Sequence, residues 1–230
     1  MKAVSYSGLG MYGYCPRAFE EKYVKETVVT GGRPMTEADA PAMFRGKRIH
    51  EGIEKFLLKQ SDELPKEVQE HYSGFFGMLR DQAMVRVELP WAFDINWEPV
   101  DFDAEDCAIR GVIDTLLYDT DENILHLYEY KTGKMYGDHA EQLHLYSMAA
   151  LLAFPAALAC QSDTMYLDQH KNVPGFLERD MMPSYKWLWD RRIKRVQPPQ
   201  KYPMRPSWRC KTCAYNAKNG GNCHPPQKGD

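Results

Sequence analysis

Apolar positions along the chain recur with two distinct periods. In "MFRGKRIHEGIEKFLLK" the residues Ile49, Ile53, Phe56 and Leu57 fall on one helical face, which predicts a helix over 42–59, with a second and weaker one over 65–81. Upstream, Phe19, Tyr23 and Val24 keep helical spacing after Pro16, a residue suited to a first helical turn, and "VVTGGRPMTEADAP" at 28–41 reads as a loop. The period then drops to two. Val85, Val87 and Leu89 alternate with Met84, Arg86 and Glu88, and Ile109, Ile113 and Leu117 alternate with Arg110, Asp114 and Tyr118. The turn formers "DTDEN" at 119–123 would join the second of these strands to "ILHLYEYK" as a hairpin ending at Gly133. Helical spacing returns in "HAEQLHLYSMAALLAF", headed by Asp138 and Glu141 in a capping-box arrangement. After Pro155 the pattern predicts strands near 163–168 and 175–181 and a basic helix "YKWLWDRRIKRV", which Pro198, Pro199, Pro203 and Pro206 close off into an irregular tail. Strands interleaved with helices predict an α/β fold, a mixed central sheet flanked by helices.

Composition changes this picture little, and charge changes it more. With 230 residues, 43% hydrophobic and 27% charged, the chain suits one good core with room for a small appendage. No apolar run reaches membrane-spanning length, and the start lacks a secretory apolar stretch, so a cytoplasmic protein is expected, or one in a host cytoplasm if a phage encodes it. The net charge of −3 argues against a generic nucleic-acid binder, but it is an average over two unlike parts. Residues 186–230 hold 11 Lys or Arg against 2 Asp or Glu, whereas the rest holds 18 against 30. A basic tail on an acidic body suggests a polyanion partner at one end and cation-binding carboxylates in the other.

The candidate chemistry begins at "YEYKTGK". Side chains two apart on a strand point the same way, so Glu129 and Lys131 share a face. Asp114 lies on the neighbouring strand of the hairpin, Glu88 on a third strand and His50 on the preceding helix. Carboxylates brought together repel unless a cation sits between them, and oxygen ligands with one imidazole suit Mg2+ or Mn2+. Lys131, which cannot bind the metal, would then orient or deprotonate a water, or offset a developing negative charge.

"GVIDTLLYD" followed by "LHLYEYKTGK" resembles the core of the PD-(D/E)XK nuclease superfamily, with Asp114, Glu129 and Lys131 at its signature positions. Three further stretches resemble its RecB-like branch: "RGKRIHEGIEKF" with His50, "EQLHLYSMA" with Gln142 and Tyr146 one helical turn apart, and "SYSGLGMYGYCPRAFEEKYV" with Cys15. The resemblance implies a restriction-endonuclease-like core and metal-dependent hydrolysis of DNA, on single-stranded DNA or at DNA ends. It makes His50, Asp114 and Glu129 metal ligands, Lys131 the residue that positions water, and Gln142 and Tyr146 residues that order the site or meet DNA. In this branch Glu88 would support the metal, although a strand-surface role is equally open. Partners in recombination or CRISPR adaptation would follow, and no membrane.

The tail carries Cys210, Cys213 and Cys223 in "CKTCAYNAKNGGNC". A Cys-x2-Cys pair is the usual bite on zinc or an iron–sulfur cluster, and three cysteines need a fourth ligand, for which Cys15, Cys107, Cys160 and His224 are available. The sequence context favours Cys107 and Cys160 as small buried residues. The resemblance to the iron–sulfur subgroup, which includes CRISPR-adaptation exonucleases and AddB-type subunits, implies that Cys15, Cys210, Cys213 and Cys223 hold a [4Fe–4S] cluster, with zinc as the alternative. The cluster would join the two termini of a single 1–230 nuclease domain, packing the 186–230 tail on it. The interval of nine residues before Cys223 is longer than that subgroup's. Non-catalytic alternatives remain: an iron–sulfur or zinc module that binds DNA ends, or a scaffold for assembly.

Overall fold

A computed structural model describes residues 3–27, 37–38, 40–135, 139–197 and 201–225. Pro198, Pro199, Asp138 with its expected capping role, and most of the 28–41 loop lie outside the described residues. The chain forms two compact units. One comprises Met1–Met35, Ala92–Arg110 and Asp190–Asp230, the other Thr36–Trp91 and Gly111–Trp189.

The second unit carries most of the sheet and most of the helices. Its helical pair is α3 (Pro41–Leu57) and α4 (Lys66–Arg80), each with the apolar face the spacing predicts. That face buries Ile49, Ile53, Phe56 and Leu57 with Val68, Tyr72, Phe76 and Leu79, in one cluster with Tyr130 and Met165 from the sheet. The strands run in the spatial order β1 (Val85–Phe93), β2 (Ile109–Asp119), β3 (Ile124–Lys131), β4 (Ala159–Tyr166) and β5 (Lys171–Glu178). β2 and β3 form the predicted antiparallel hairpin, with Thr115 opposite Tyr128 and Asp119 opposite Ile124. β3 and β4 are parallel, joined by the crossover helix α5 (His139–Ala153), and β4 and β5 are antiparallel. The sheet is therefore mixed and flanked by helices, an α/β architecture consistent with a restriction-endonuclease-like fold. Helix α5 buries every residue from Gln142 to Leu151 except His144, because it covers the sheet rather than facing solvent.

Strand boundaries differ from expectation for a reason visible in the topology. β4 and β5 each begin about four residues earlier than the spacing predicts. β1 continues through Pro90 and β5 includes Pro174. Both strands are edges of the sheet, where a residue without an N–H can be tolerated. Edge position is invisible in a local pattern.

In the first unit, α1 (Tyr6–Tyr14) is a helix that periodicity does not reveal, because Gly8, Gly10 and Gly13 interrupt any apolar stripe. Ser5 caps it by accepting from Gly8 N at 3.2 Å. A methyl group on Gly8 would lie 3.1 Å from the Tyr23 ring, so a side chain there would crowd that packing. Pro16 opens the short α2 (Pro16–Phe19), which widens into a π-helical turn over Glu20–Val24 and stacks Phe19 on Tyr23 at 4.9 Å between ring centroids. The basic helix α6 (Met182–Val196) leads toward a tail with two 3₁₀ turns, Trp208–Lys211 and Ala217–Asn219.

Candidate active site and cysteine centre

The hairpin register sets the site. Continued one step beyond Thr115 and Tyr128, it puts Asp114 opposite Glu129, and cross-strand neighbours share a face of the sheet. Both side chains are buried, 8% and 5% exposed, an unusual setting for two carboxylates. Asp114 Oδ2 accepts from the Tyr130 backbone N–H at 2.6 Å, and Oδ1 lies 3.5 Å from His50 Nδ1. Glu88 joins them from β1, where it adopts φ +45, a left-handed conformation rare for a non-glycine residue within a strand. One ligand atom from each of His50, Glu88 and Asp114 lies within 4.8 Å of the others, the sole such trio of His, Cys, Asp or Glu found among the described residues. A cleft of about 450 Å³ opens beside them, lined by Gly46, Lys47, His50, Glu51, Glu54 and Glu88.

Glu129 stands next to this trio rather than in it. Its Oε1 accepts from Lys131 Nζ at 2.6 Å and from Gln142 Nε2 at 2.7 Å, so the Glu-x-Lys pair does share a face and α5 does deliver Gln142 to it. Its Oε2 is buried without a hydrogen-bond partner. Tyr146, one turn beyond Gln142, is buried with its ring edge against Trp91, 5.5 Å between centroids.

Charge at the site is poised for a cation. Burial, then the Asp114 charge, pushes the Glu88 carboxyl up to about 7, and the same two causes push Glu129 to about 7 against the pull of Lys131. Burial opposes a charged His50, but the Asp114 carboxylate outweighs it, followed by Glu129 and Glu88, and the imidazole pKa is raised. Carboxyls that crowding drives toward protonation are groups for which a divalent ion can replace the proton. With the unpartnered Glu129 oxygen, the donor set of carboxylates and one imidazole fits Mg2+ or Mn2+.

Sequence reasoning missed the clamp that frames this site. Arg45 on α3 makes a two-pronged bond to Asp168, 2.9 Å to Oδ2 and 2.8 Å to Oδ1, and Oδ2 also accepts from Gly133 N at 2.7 Å. Gln169 donates to Gly133 O at 2.5 Å, and a methyl group on Gly46 would come within 2.8 Å of Thr132 Oγ1. The helix bearing His50 is thus tied to the loop that follows Lys131. No local pattern marks Asp168, which lies 123 residues from Arg45.

The Arg45 bonds, ahead of the opposing effect of burial, hold the Asp168 carboxyl below its usual range, aided by Gly133 N–H. Stability from a depressed carboxylate is complete above its unfolded pKa, about 3.9, and disappears as pH falls through the folded value. Asp168→Asn should therefore lose about 1–2 kcal/mol at pH 7. Urea titrations should show the gap from the parent closing below about pH 4. An unchanged gap at pH 3 would assign the loss to something other than this ion pair.

In the other unit, Cys15, Cys210, Cys213 and Cys223 line one cavity of about 310 Å³, and His224 is not among its lining residues. Cys107 and Cys160 are fully buried elsewhere, in keeping with their reading as small core residues. The long interval before Cys223 doubles back: Cys223 N donates to Tyr215 O at 2.7 Å and Ala217 N donates to Cys223 O at 2.8 Å. Gly220 makes the turn at φ +92, and a methyl group on Gly221 would lie 2.2 Å from the Tyr215 backbone. Backbone N–H groups face two of the sulfurs, Arg205 N to Cys15 at 3.5 Å and Ser207 N to Cys210 at 3.4 Å. Burial, followed by the charges of Cys15, Cys213 and Cys210, raises the Cys223 thiol. From 201 to 225 the one buried side chain is Asn216, so this segment has no apolar core of its own.

The family comparison covers nearly the whole chain. A sequence profile of the PD-(D/E)XK nuclease superfamily matches residues 3–217. Among solved structures, a candidate exonuclease from Eubacterium rectale is similar, with TM-score 0.55 and 11% identity, over 98% of this chain and 91% of that one. The crystal structure of SSO0001 aligns with TM-score 0.46 and 14% identity over 94% of this chain and 85% of its own. No curated protein sequence matches.

Proposed function

The chain belongs to the PD-(D/E)XK nuclease superfamily, and from that premise we propose that it is a Mg2+- or Mn2+-dependent deoxyribonuclease, acting as an exonuclease on single-stranded DNA or DNA ends. The meeting of His50, Glu88 and Asp114 beside the unpartnered Glu129 oxygen carries this reading. Those four residues would hold the cation, which when bound polarises the scissile phosphate and lowers the pKa of the attacking water. Lys131 spends one N–H on Glu129 and has two more donors, suited to a water oxygen and a non-bridging phosphate oxygen. As an ammonium it orients the nucleophile and offsets the charge that builds on phosphorus, rather than removing a proton. Gln142 fixes the Glu129 carboxylate by its amide, leaving Oε2 as the available lone-pair donor. Tyr146, packed on Trp91, acts as a positioning residue. The end-directed mode draws on the description of the Eubacterium rectale protein.

End-labelled linear single- and double-stranded DNA should be shortened from its ends with Mg2+ or Mn2+ and left intact in chelator. Cleavage that persists in chelator would refute the metal. Binding of ends with no cleavage under any divalent ion would favour the non-catalytic end-binding module.

The same reading extends to the cysteines, for which we propose a [4Fe–4S] cluster on Cys15, Cys210, Cys213 and Cys223. Their common cavity supports it, as do the N–H groups aimed at sulfur, the hydrogen bonding that cluster sulfurs receive. Tetrahedral zinc at about 2.3 Å from each ligand needs sulfurs roughly 3.8 Å apart. A cavity of about 310 Å³ bounded by all four cysteines leaves room for the larger group. Iron with acid-labile sulfide in anaerobically purified protein is the expected assay result, and zinc alone would reverse the choice. A role beside recombination or CRISPR-adaptation proteins remains part of the proposal.

A further inference from the structure

Three exposed side chains beside the cysteine cavity form a group that the cleavage reading does not use. Trp208 is 73% exposed and Tyr14 47% exposed. The Arg209 guanidinium is in contact distance of both rings, its central carbon 3.9 Å from the Tyr14 ring centroid and 4.9 Å from that of Trp208. Arg209 is itself exposed and has no carboxylate partner among the described residues. Exposing this much indole to water is unfavourable, and nothing in a basic loop requires it. The surroundings carry one sign of charge, because from Arg191 to Gly229 there are 10 Lys or Arg and no Asp or Glu. Arg205 and Lys211 are the exposed neighbours in sequence, and Arg205 is anchored by a 2.8 Å bond to Gly13 O. The acids of the nearby amino-terminal helix are already matched, Glu20 and Glu21 by Arg17 and Lys25.

We propose that Trp208, with the Arg209 guanidinium against it, is a stacking site for an unpaired base of single-stranded DNA, with Arg209 and its basic neighbours meeting the adjoining phosphates. A flat aromatic face beside an unpaired guanidinium is the arrangement that recognises an unstacked base without reading its identity. A base inside a duplex presents no free face to the indole, which leaves at most the two terminal pairs of a blunt duplex, so the site favours single strand over duplex. Cys210 follows Arg209 directly, and Ser207 N, which donates to Cys210, precedes Trp208 directly, so the loop that displays the platform is the loop anchored at the cysteine cavity. This inference rests on the reading of DNA as substrate and adds the residues that capture the strand.

The test is equilibrium binding by full-length protein without added divalent ion, read as fluorescence anisotropy of a labelled oligothymidylate and of a blunt duplex of equal length. Trp208→Ala should weaken single-strand binding roughly five- to hundredfold. Trp208→Tyr should restore most of the affinity, and Arg209→Lys, which keeps the charge but not the plane, should still weaken it. Duplex affinity should change by no more than about twofold in any of the three, since duplex binding draws on phosphate contacts elsewhere. Metal content and melting temperature equal to the parent's would exclude a collapsed loop, and Trp208→Tyr serves as the folded control if Trp208→Ala loses metal. Unchanged single-strand binding in Trp208→Ala, or an equal loss on duplex, would overturn the platform. Because the readout is binding, a protein that cleaves nothing yet holds single strands through Trp208 would refute only the nuclease reading. Cleavage with binding indifferent to Trp208 would refute only the platform.

Discussion

Lys131→Ala should lower the rate of DNA cleavage by roughly a hundred- to ten-thousandfold, the usual reach of a residue that handles protons or developing charge at the reacting atoms. The substitution removes the ammonium that holds Glu129 Oε1 at 2.6 Å, while the Gln142 bond to the same oxygen remains, so the fold should survive. DNA binding should be nearly unchanged. The companion at Asp114 needs more care. Asp114→Ala would strip the acceptor from the Tyr130 backbone N–H, leaving a buried donor unpaired at a cost of about 1–3 kcal/mol. Asp114→Asn keeps an acceptor there and removes the charge, so its loss of cleavage would report on the cation rather than on stability. Single-turnover assays on end-labelled DNA would decide the matter. Parent-level cleavage in either Lys131→Ala or Asp114→Asn would mean that the buried carboxylates and the lysine are not the catalytic group.

Loss of a cysteine should be the largest stability effect in the chain. Residues 201–225 fully bury no apolar side chain, and half-buried ones such as Tyr202, stacked on Phe19, offset only part of the conformational entropy of ordering them. A metal centre can offset the rest, because its binding free energy is folding free energy, about 10–16 kcal/mol for structural zinc in small domains. Cys213→Ser should therefore lose iron and the brown colour. If about 3 kcal/mol or more is lost, the melting temperature should fall by roughly 6–12 °C. Gly221→Ala is the independent probe, since it changes no ligand but forces a methyl group into the Tyr215 backbone at 2.2 Å and so displaces Cys223. Calorimetry and metal analysis on both variants would settle it. Full metal content and an unshifted melting temperature in Cys213→Ser would show that the cavity is no metal centre.

The site was partly legible before any coordinates. Glu129 and Lys131 had to share a face because a strand repeats every two residues, and the short turn at 119–123 had to bring Asp114 alongside. His50 lay on the amphipathic helix preceding those strands, whereas Gln142 came only from the resemblance of "EQLHLYSMA" to the RecB-like branch, since its helix is apolar nearly all round. Glu88 was ambiguous because alternation assigns it a side of β1, while its place beside Asp114 accompanies a backbone excursion to φ +45 that no spacing encodes. The Asp168 clamp was illegible for a different reason. Its partners come from α3, from the loop after β3 and from the residues after β4, and only the parallel pairing of β3 with β4 makes them neighbours.

Local backbone periodicity determined the order and type of nearly every element and the pairing of the β2–β3 hairpin, and the charge count along the chain separated acidic body from basic tail. The helix Tyr6–Tyr14 escaped because its glycines erase the apolar stripe by which a helix is recognised. Tertiary structure alone decided which strands are edges and so admit Pro90 and Pro174, how nine intervening residues return Cys223 to its cavity, and that Glu88 joins His50 and Asp114. The division is physical. Secondary structure follows from interactions a few residues apart, whereas a cation site drawn from His50 to Glu129 and a cysteine centre drawn from Cys15 to Cys223 depend on groups far apart in the chain being forced together by packing and hydrogen bonding.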